Sequence, residues 1–479
     1  MRSTIADIRI LLKNTMSLLM REFINKGALL IMLFFIGRLL GKAQLGQYTL
    51  ALVISQILFL ATDLGLNILL IREVSKDKSN ASKYLFNFGV INFILSSLTL
   101  VLAGLVVVVL NCPKEVALVI YLCAFSYFLV RLIVLFESVF QAFEKMEYQL
   151  FGNLFKNIIF ISLGIWYLYN GGGLIGLFCI FFIANALTLA IMGFFCMKMI
   201  GFKYPSLEID ALREYIIKTI PLWLTQLFAV LYLKIATLFL YRINGDEAVG
   251  IYNAAYVIVD GFIVLSGAIA TAFFPLFSRL HRSSENDFKA VYEKSLSLVV
   301  FLFLPAAVLI ALLSNRIALL LYGPGFESTA LVMRFLSCTA FLVVFGSLNT
   351  YVMVTLDKQK VLPFICGFGV LLNVALNLSL IPRLNYIGAA ISSILTEFIM
   401  FSTLMFVVIK CLGGFSLARV FLKTIIAAFV TGVFVYSFRH ANIFVVVGLA
   451  ILLYLAVTYF LKGFIFRERG YLKRILSAS

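Results

Sequence analysis

Long apolar stretches separated by short polar breaks fill almost the whole of this chain. Windows of about 20 apolar residues, each long enough to cross a bilayer as a helix, recur at roughly 11–36, 46–70, 84–110, 116–140, 148–169, 174–197, 214–240, 248–275, 290–313, 328–355, 361–381, 387–409, 420–438 and 443–461. The pattern predicts an all-α polytopic membrane protein of about fourteen transmembrane helices. The longest breaks, 198–213 (KMIGFKYPSLEIDALR) and 276–289 (LFSRLHRSSENDFK), are too short for a soluble domain. An integral membrane enzyme of glycan assembly would usually need a larger non-membrane region or loop carrying catalytic carboxylates, and nothing of that kind is visible. The start, MRSTIADIRILLKN, has no short apolar core before a small-residue cleavage site, so the first span is expected to stay in the protein.

A second pattern lies over the first. Arg38, Gly41, Gly46, Tyr48 and Ala51 in RLLGKAQLGQYTLA return 204 positions later as Arg242, Gly245, Gly250, Tyr252 and Ala255 in RINGDEAVGIYNAA. Duplicated halves in an apolar chain predict a transporter that works by alternating access around a pseudo-twofold axis. Six spans fall in 1–200, a linker in 201–213 and six more spans in 214–410; two extra helices and a basic tail occupy 411–479. Each half enters from the same side with an even number of spans, so the repeats are parallel. The paired glycines bracket a tight turn, where positive φ or close helix packing favours glycine. Tyr48 and Tyr252 are expected at interface depth, and Arg38 and Arg242 at span ends near head-group phosphates.

Composition agrees with a membrane protein: 63% hydrophobic, 13% charged, mean hydropathy +1.08. A net charge of +17 would suit nucleic acid, but its distribution argues otherwise. With the N-terminus inside, cytoplasmic segments collect roughly 23 Lys/Arg and external ones about seven, which is a topology signal. Both termini are then cytoplasmic, and the protein resides in the cytoplasmic membrane. The seven cysteines include no C-x-x-C pair, and no metal site, cofactor or nucleotide-binding loop is expected.

Ionisable groups inside spans carry the chemistry, because each is costly at mid-bilayer unless paired or hydrated. The cations are Arg21, Lys26, Arg131, Lys156, Lys218, Lys234, Lys294, Arg334 and Lys423; the acids are fewer: Glu22, Asp63, Glu137, Asp260, Glu397 and Glu293. Lys294 and Lys423 lie near cytoplasmic ends and can snorkel. In the first span Asn14, Ser17, Arg21 and Asn25 share one helical face, with Glu22 and Lys26 spaced to pair beside it. Asn153, Lys156 and Asn157 sit together in the fifth span. First helices of two lobes would line a central cavity, bringing Arg21 and Lys26 opposite Lys218 and Lys234. Arg21, Lys26, Lys156, Lys218, Lys234, Arg131 and Arg334 are therefore the candidate substrate-binding residues, for an anionic substrate. Glu22 and Asp260 are the candidate coupling acids, toward H+, Na+ or the membrane potential.

GRLLGKAQLGQYTLALVISQ and the following ATDLGLNILLIREVSK resemble the opening of the oligosaccharide flippases in the MOP exporter superfamily. INGDEAVGIYNAAYVIVD, FFPLFSRL, LYGPGFESTA and LNVALNLSLIPRLNYIGAAISSILTE continue the resemblance in order. It is closer to Wzx-type polysaccharide-unit flippases than to multidrug exporters. The resemblance implies two six-helix lobes that alternate between inward-open and outward-open forms, with a cationic cavity for the diphosphate and glycan of a polyprenyl-linked oligosaccharide. Glycan polymerase or assembly proteins are implied partners. Fourteen helices are similar to the lipid II flippases, where the last two extend a groove for the lipid tail. One departure stands in LKIATLFL: Lys234 and Ala236 occupy a region where many relatives place an Asp. The expectation is a flippase rather than an enzyme. The alternatives are a cation-coupled multidrug exporter or a lipid II flippase of the same superfamily, or a membrane enzyme of glycan assembly.

Overall fold

The computed structural model describes residues 2–201, 209–413 and 417–461. The described chain is helical, and no strand occurs among the described residues. Its helices are α1 (Arg2–Ala61), α2 (Leu66–Lys76), α3 (Ala81–Leu110), α4 (Lys114–Ala142), α5 (Glu147–Tyr169), α6 (Leu174–Ile200), α7 (Ile209–Asn244), α8 (Asp246–Ser283), α9 (Glu285–Tyr322), α10 (Glu327–Thr355), α11 (Leu362–Cys411), α12 (Leu417–Ser437) and α13 (Ile443–Phe460).

Eleven described helices are long and apolar enough to cross a membrane. Two of these are double. α1 breaks at Gly41 (φ 82°, ψ −178°) and α11 at Asn385 (φ 55°, ψ −136°), so each contains two of the expected spans. The apolar part of α12, Phe421–Ser437, is shorter. The expected second span also differs: it stops at Ala61, and α2 begins after Leu64 and Gly65, both with positive φ. Asp63 lies in that break and accepts a 2.7 Å hydrogen bond from the Asn67 amide.

The chain divides into two compact units, Met1–Asn253 with Asn377–Asn385, and Ala254–Leu376 with Tyr386–Ser479. In the first, α4 packs with α6 and α3, and α1 packs with α5, α4 and α7. Trp223 on α7 donates its indole N–H to the Leu60 carbonyl at 2.7 Å, so α7 belongs with this unit by contact. The core between α2, α3, α4 and α6 is aliphatic and aromatic, built on Leu69, Leu70, Phe88, Val139 and Phe140. The second unit packs α10 and α12 on α9, with α13 against α12. Tyr454 of α13 donates to the Phe301 carbonyl of α9 at 2.8 Å, and Tyr292 donates to Asn349 Oδ1 at 2.7 Å. In both units large side chains face outward, among them Val101, Val108, Phe364, Leu371 and Phe429. In water that surface would drive aggregation; in hydrocarbon it is the ordinary lipid face.

The repeat appears in the first unit as two crossing helix segments. Gly46 and Gly250 meet there backbone to backbone, with the amide N of Gly250 2.9 Å from where a Gly46 Cβ would stand. Gln47 Nε2 donates to Asp246 at 2.8 Å and Lys42 pairs with Glu247 beside the crossing. Tyr48 and Tyr252 are both buried within the protein, and Tyr48 packs on the Phe178 ring at 5.3 Å.

Candidate functional site

The polar stripe of α1 turns inward. Asn14 and Ser17 are buried, and Asn25 accepts a 2.7 Å hydrogen bond from Asn157 of α5. The same face carries Arg21 to the wall of a cavity of about 330 Å³, lined by Arg21, Glu22 and Asn25 of α1, Glu137 of α4, and Asn153 and Lys156 of α5 among others.

Arg21 is the hub. Its Nη1 lies 3.0 Å from Glu137 Oε2 and 3.4 Å from Gln149 Oε1, and its Nη2 lies 2.8 Å from Glu22 Oε1. Its Nε is buried without a partner. Glu137 is 6% exposed and its other oxygen accepts from Asn153 Nδ2 at 2.7 Å. Gln149 donates to the Glu137 backbone carbonyl, fixing α5 against α4. Lys156 reaches Asn153 Oδ1 at 3.2 Å. Two cations and two carboxylates therefore share one small cavity, each charge offset by the opposite charges beside it in a medium that solvates ions poorly. The sequence suggested an uncompensated positive site. The structure places a balanced one, in which an anion must compete for Arg21.

The other candidates are distributed differently. Lys26 is half-buried on α1 and forms no ion pair with Glu22; Glu22 takes Arg21 instead. The side chain of Lys218 lies outside the described residues. Lys234 is half-buried on α7, and neither it nor Lys26 lines this cavity. Arg334 is exposed on α10, where its Nε donates to Ser314 at 3.0 Å. Asp260 is half-buried on α8.

Arg131 departs from the expected cavity lining. It is 1% exposed, and its guanidinium donates to the Thr62 carbonyl at 3.1 Å, Thr62 Oγ1 at 3.0 Å, Asn92 Oδ1 at 3.3 Å and the Phe59 carbonyl. Asp63 lies 3.7 Å away, and the Phe59 ring is 4.7 Å from the guanidinium carbon. The reason is local. The last carbonyls of α1 have no intrahelical donors where the chain breaks before α2, and a planar five-donor group satisfies several of them together. Arg131 is a helix cap.

Glu137 and Gln149 are the site residues that sequence reasoning missed. In the sequence Glu137 stands only as one of several acids inside spans, with no partner in helical register. Its true partner is 116 positions distant. The available signal was the i, i+4 pair Gln149 and Asn153 on α5, which marks a polar face needing a partner.

The comparisons with known proteins agree with this architecture. The polysaccharide biosynthesis protein family matches residues 11–281, and the MatE family matches residues 221–378. The capsular polysaccharide biosynthesis protein CapF of Staphylococcus aureus is 24% identical over 390 residues, 77% of this chain and 92% of that protein. The probable flippase AglR of Haloferax volcanii is 30% identical over 178 residues, 36% of this chain and 37% of its own length. Among solved structures, the lipid II flippase MurJ in an inward closed conformation superposes with a TM-score of 0.70 at 15% identity, covering 92% of this chain and 98% of that one. An inward-facing multidrug resistance MATE family transporter of the MOP superfamily superposes at 0.67 with 14% identity, covering 81% and 94%.

Proposed function

This chain belongs to the polysaccharide biosynthesis protein family, and from that premise we propose that it is a flippase carrying a lipid-linked oligosaccharide across the membrane by alternating access. The observation that carries the reading is Arg21: a guanidinium at a cavity wall, with a free buried Nε and Lys156 beside the same cavity. Guanidinium and ammonium groups together bind phosphate oxygens through charge-assisted hydrogen bonds. The substrate is a polyprenyl diphosphate carrying a glycan. Its head group enters from the cytoplasmic leaflet, engages Arg21 and Lys156, and leaves on the far side while the lipid tail stays in hydrocarbon. Unaided crossing is slow because a charged, hydrated glycan would have to shed its water.

The protein acts in the cytoplasmic membrane with both termini inside, alongside enzymes that assemble and polymerise the glycan. Return of the empty carrier is driven by H+, Na+ or the membrane potential. The relatives support a transporter rather than an enzyme. The MatE match raises a cation-coupled multidrug exporter as a second reading, but the two carboxylates of the cavity, Glu22 and Glu137, are already engaged by Arg21.

The test is binding of a farnesyl-diphosphate-linked N-acetylglucosamine to the purified protein, with flipping of its fluorescent analogue in proteoliposomes. Loss of one charge-assisted contact is worth about 1.5–3 kcal/mol, so Arg21→Ala should weaken binding roughly 10- to 100-fold and slow flipping. Unchanged affinity in Arg21→Ala, or binding of cationic dyes alone, overturns the reading.

A further inference from the structure

The first unit carries a second recess, on the far side of α4 from Arg21. α3 and α6 each pack along α4 but scarcely touch one another, and between them lies a groove of about 550 Å³. Leu132, Leu135 and Phe136 of α4 line it, whereas Val134 and Glu137 of the same helix line the Arg21 cavity. At 3.6 residues per turn these two sets fall on opposite faces. Gly89 of α3 and Gly193 of α6 also line the groove and give it no side chain. A Cβ on Gly89 would meet nothing within 4 Å. Phe93, Ile94 and Phe194 are exposed along its walls, so it opens toward hydrocarbon.

Length and charge say what fits. Along α3 the groove runs from Ser82 to Ile94, about 18 Å at 1.5 Å per residue. That is close to one leaflet, half of a hydrocarbon core of about 30 Å. Ser82 is the one polar lining residue and stands where α3 begins. At that end the start of α3 and the ends of α4 and α6 meet in one apolar cluster, through Ala81, Phe143 and Met197. Lys78, Lys83, Lys145 and Lys198 flank those residues in the chain, and Lys78 Nζ lies 5.6 Å from the centre of the Phe143 ring. Two acids stand beside them in the chain. Asp77 already accepts hydrogen bonds from Ser79 and Asn80, which leaves Glu144 against four lysines.

We propose that this groove is the binding site of one anionic phospholipid, with an acyl chain filling the gap between α3 and α6 and the phosphate among the lysines. An open gap between packed helices forfeits dispersion contacts, and a flexible hydrocarbon chain restores them. Lysines at the membrane surface draw anionic head groups to the same end. The occupant is a resident lipid and not the tail of the transported one: the groove and the Arg21 cavity share no lining residue, and α4 stands between them. By packing on both walls the lipid is a strut, joining two helices that otherwise share only α4.

Native mass spectrometry of the full-length protein in detergent tests this, with titration of dioleoylphosphatidylglycerol or the zwitterionic dioleoylphosphatidylcholine. Wild type should bind one phosphatidylglycerol roughly five- to tenfold more tightly than phosphatidylcholine, and should melt at a higher temperature with it bound. Lys78→Gln combined with Lys198→Gln should erase the preference while phosphatidylcholine still binds. Gly89→Leu puts a side chain into the gap and should weaken both lipids by about tenfold or more. Because leucine fills space that is open in the wild type, this variant should melt no lower than wild type in lipid-free detergent. Loss of binding in it is then not loss of fold.

Equal affinity of wild type for the two lipids, or unchanged phosphatidylglycerol binding in Gly89→Leu, overturns the proposal. A dimer mass without a lipid adduct would make a second copy of the chain the occupant and overturns it as well. Farnesyl-diphosphate-linked N-acetylglucosamine should bind Gly89→Leu as it binds wild type. If the variant loses that ligand, the groove holds the tail of the transported lipid and the resident-lipid assignment falls. Each of these results leaves the flippase reading standing, because that reading is tested at Arg21.

Discussion

Gly46 and Gly250, 204 positions apart, are each the reason the other is a glycine. A Cβ on Gly46 would stand 2.9 Å from the Gly250 amide N and overlap the Asp246 carbonyl. A Cβ on Gly250 would stand 3.1 Å from the Gly46 amide N and overlap the Lys42 carbonyl. Lys42 and Asp246 are themselves related by the repeat, so the contact is symmetric about the crossing. Small residues let two helix backbones approach this closely.

Overpacking a tight contact costs about 1–3 kcal/mol. Gly46→Ala and Gly250→Ala should each lower thermal stability in detergent and reduce transport. The double variant should cost less than the sum of the two, because both substitutions open the same contact. Full additivity in a melting series would show that the two glycines act separately.

Gly41 and Gly245 are glycine for the other reason. Both have φ of +82°, and neither would bring a Cβ within 4 Å of any neighbour. The cost of a side chain is therefore backbone strain, about 1–3 kcal/mol for a non-glycine residue in this region. Alanine at either position should destabilise by similar amounts, and removal of neighbouring side chains should not relieve it. Relief by such second-site changes would point to steric crowding.

Arg131→Ala should be among the most destabilising single changes in the first unit. It strips donors from the Phe59 and Thr62 carbonyls at the end of α1 and leaves Asp63 without its nearby cation, a loss of about 3–5 kcal/mol by analogy with broken buried pairs. Arg131→Lys should rescue little of it, because one ammonium cannot span the donors of a planar guanidinium. A scan of melting temperatures for the two variants decides this; near-wild-type stability of either would refute the capping role.

Asp77 gives a pH-dependent turn between α2 and α3. Hydrogen bonds from the Ser79 side chain and then Asn80 hold its carboxyl below the ordinary value of 3.8. Because the folded value is depressed, the stabilisation is present above about pH 4 and is lost as pH falls through the folded value. Amide exchange at Ser79 should be slow and pH-independent in protection near neutrality and lose protection in acid. Asp77→Asn should abolish that step; a step that persists would belong to another group.

What the sequence determined by itself is what local periodicity encodes. Apolar windows mark spans because hydrocarbon tolerates no unpaired backbone group outside a helix. A constant offset of 204 marked the repeat, and glycines at Gly41, Gly46, Gly245 and Gly250 marked its turn and crossing. The inward face of Asn14, Ser17, Arg21 and Asn25 was legible for the same reason: helical residues three or four apart share a side.

Only the tertiary structure decided which charge meets which. Arg21 and Glu137 are separated by 116 positions, and no spacing rule reaches that far. Arg131 and Arg21 look alike in sequence, each a cation inside a span. Packing makes one a cap for the broken end of α1 and gives the other an open cavity. Tyr48 and Tyr252 look alike by the repeat, and only packing shows that both rings are buried. Burial and pairing are properties of neighbours brought together by folding, so the balance of charge around Arg21 exists only in three dimensions.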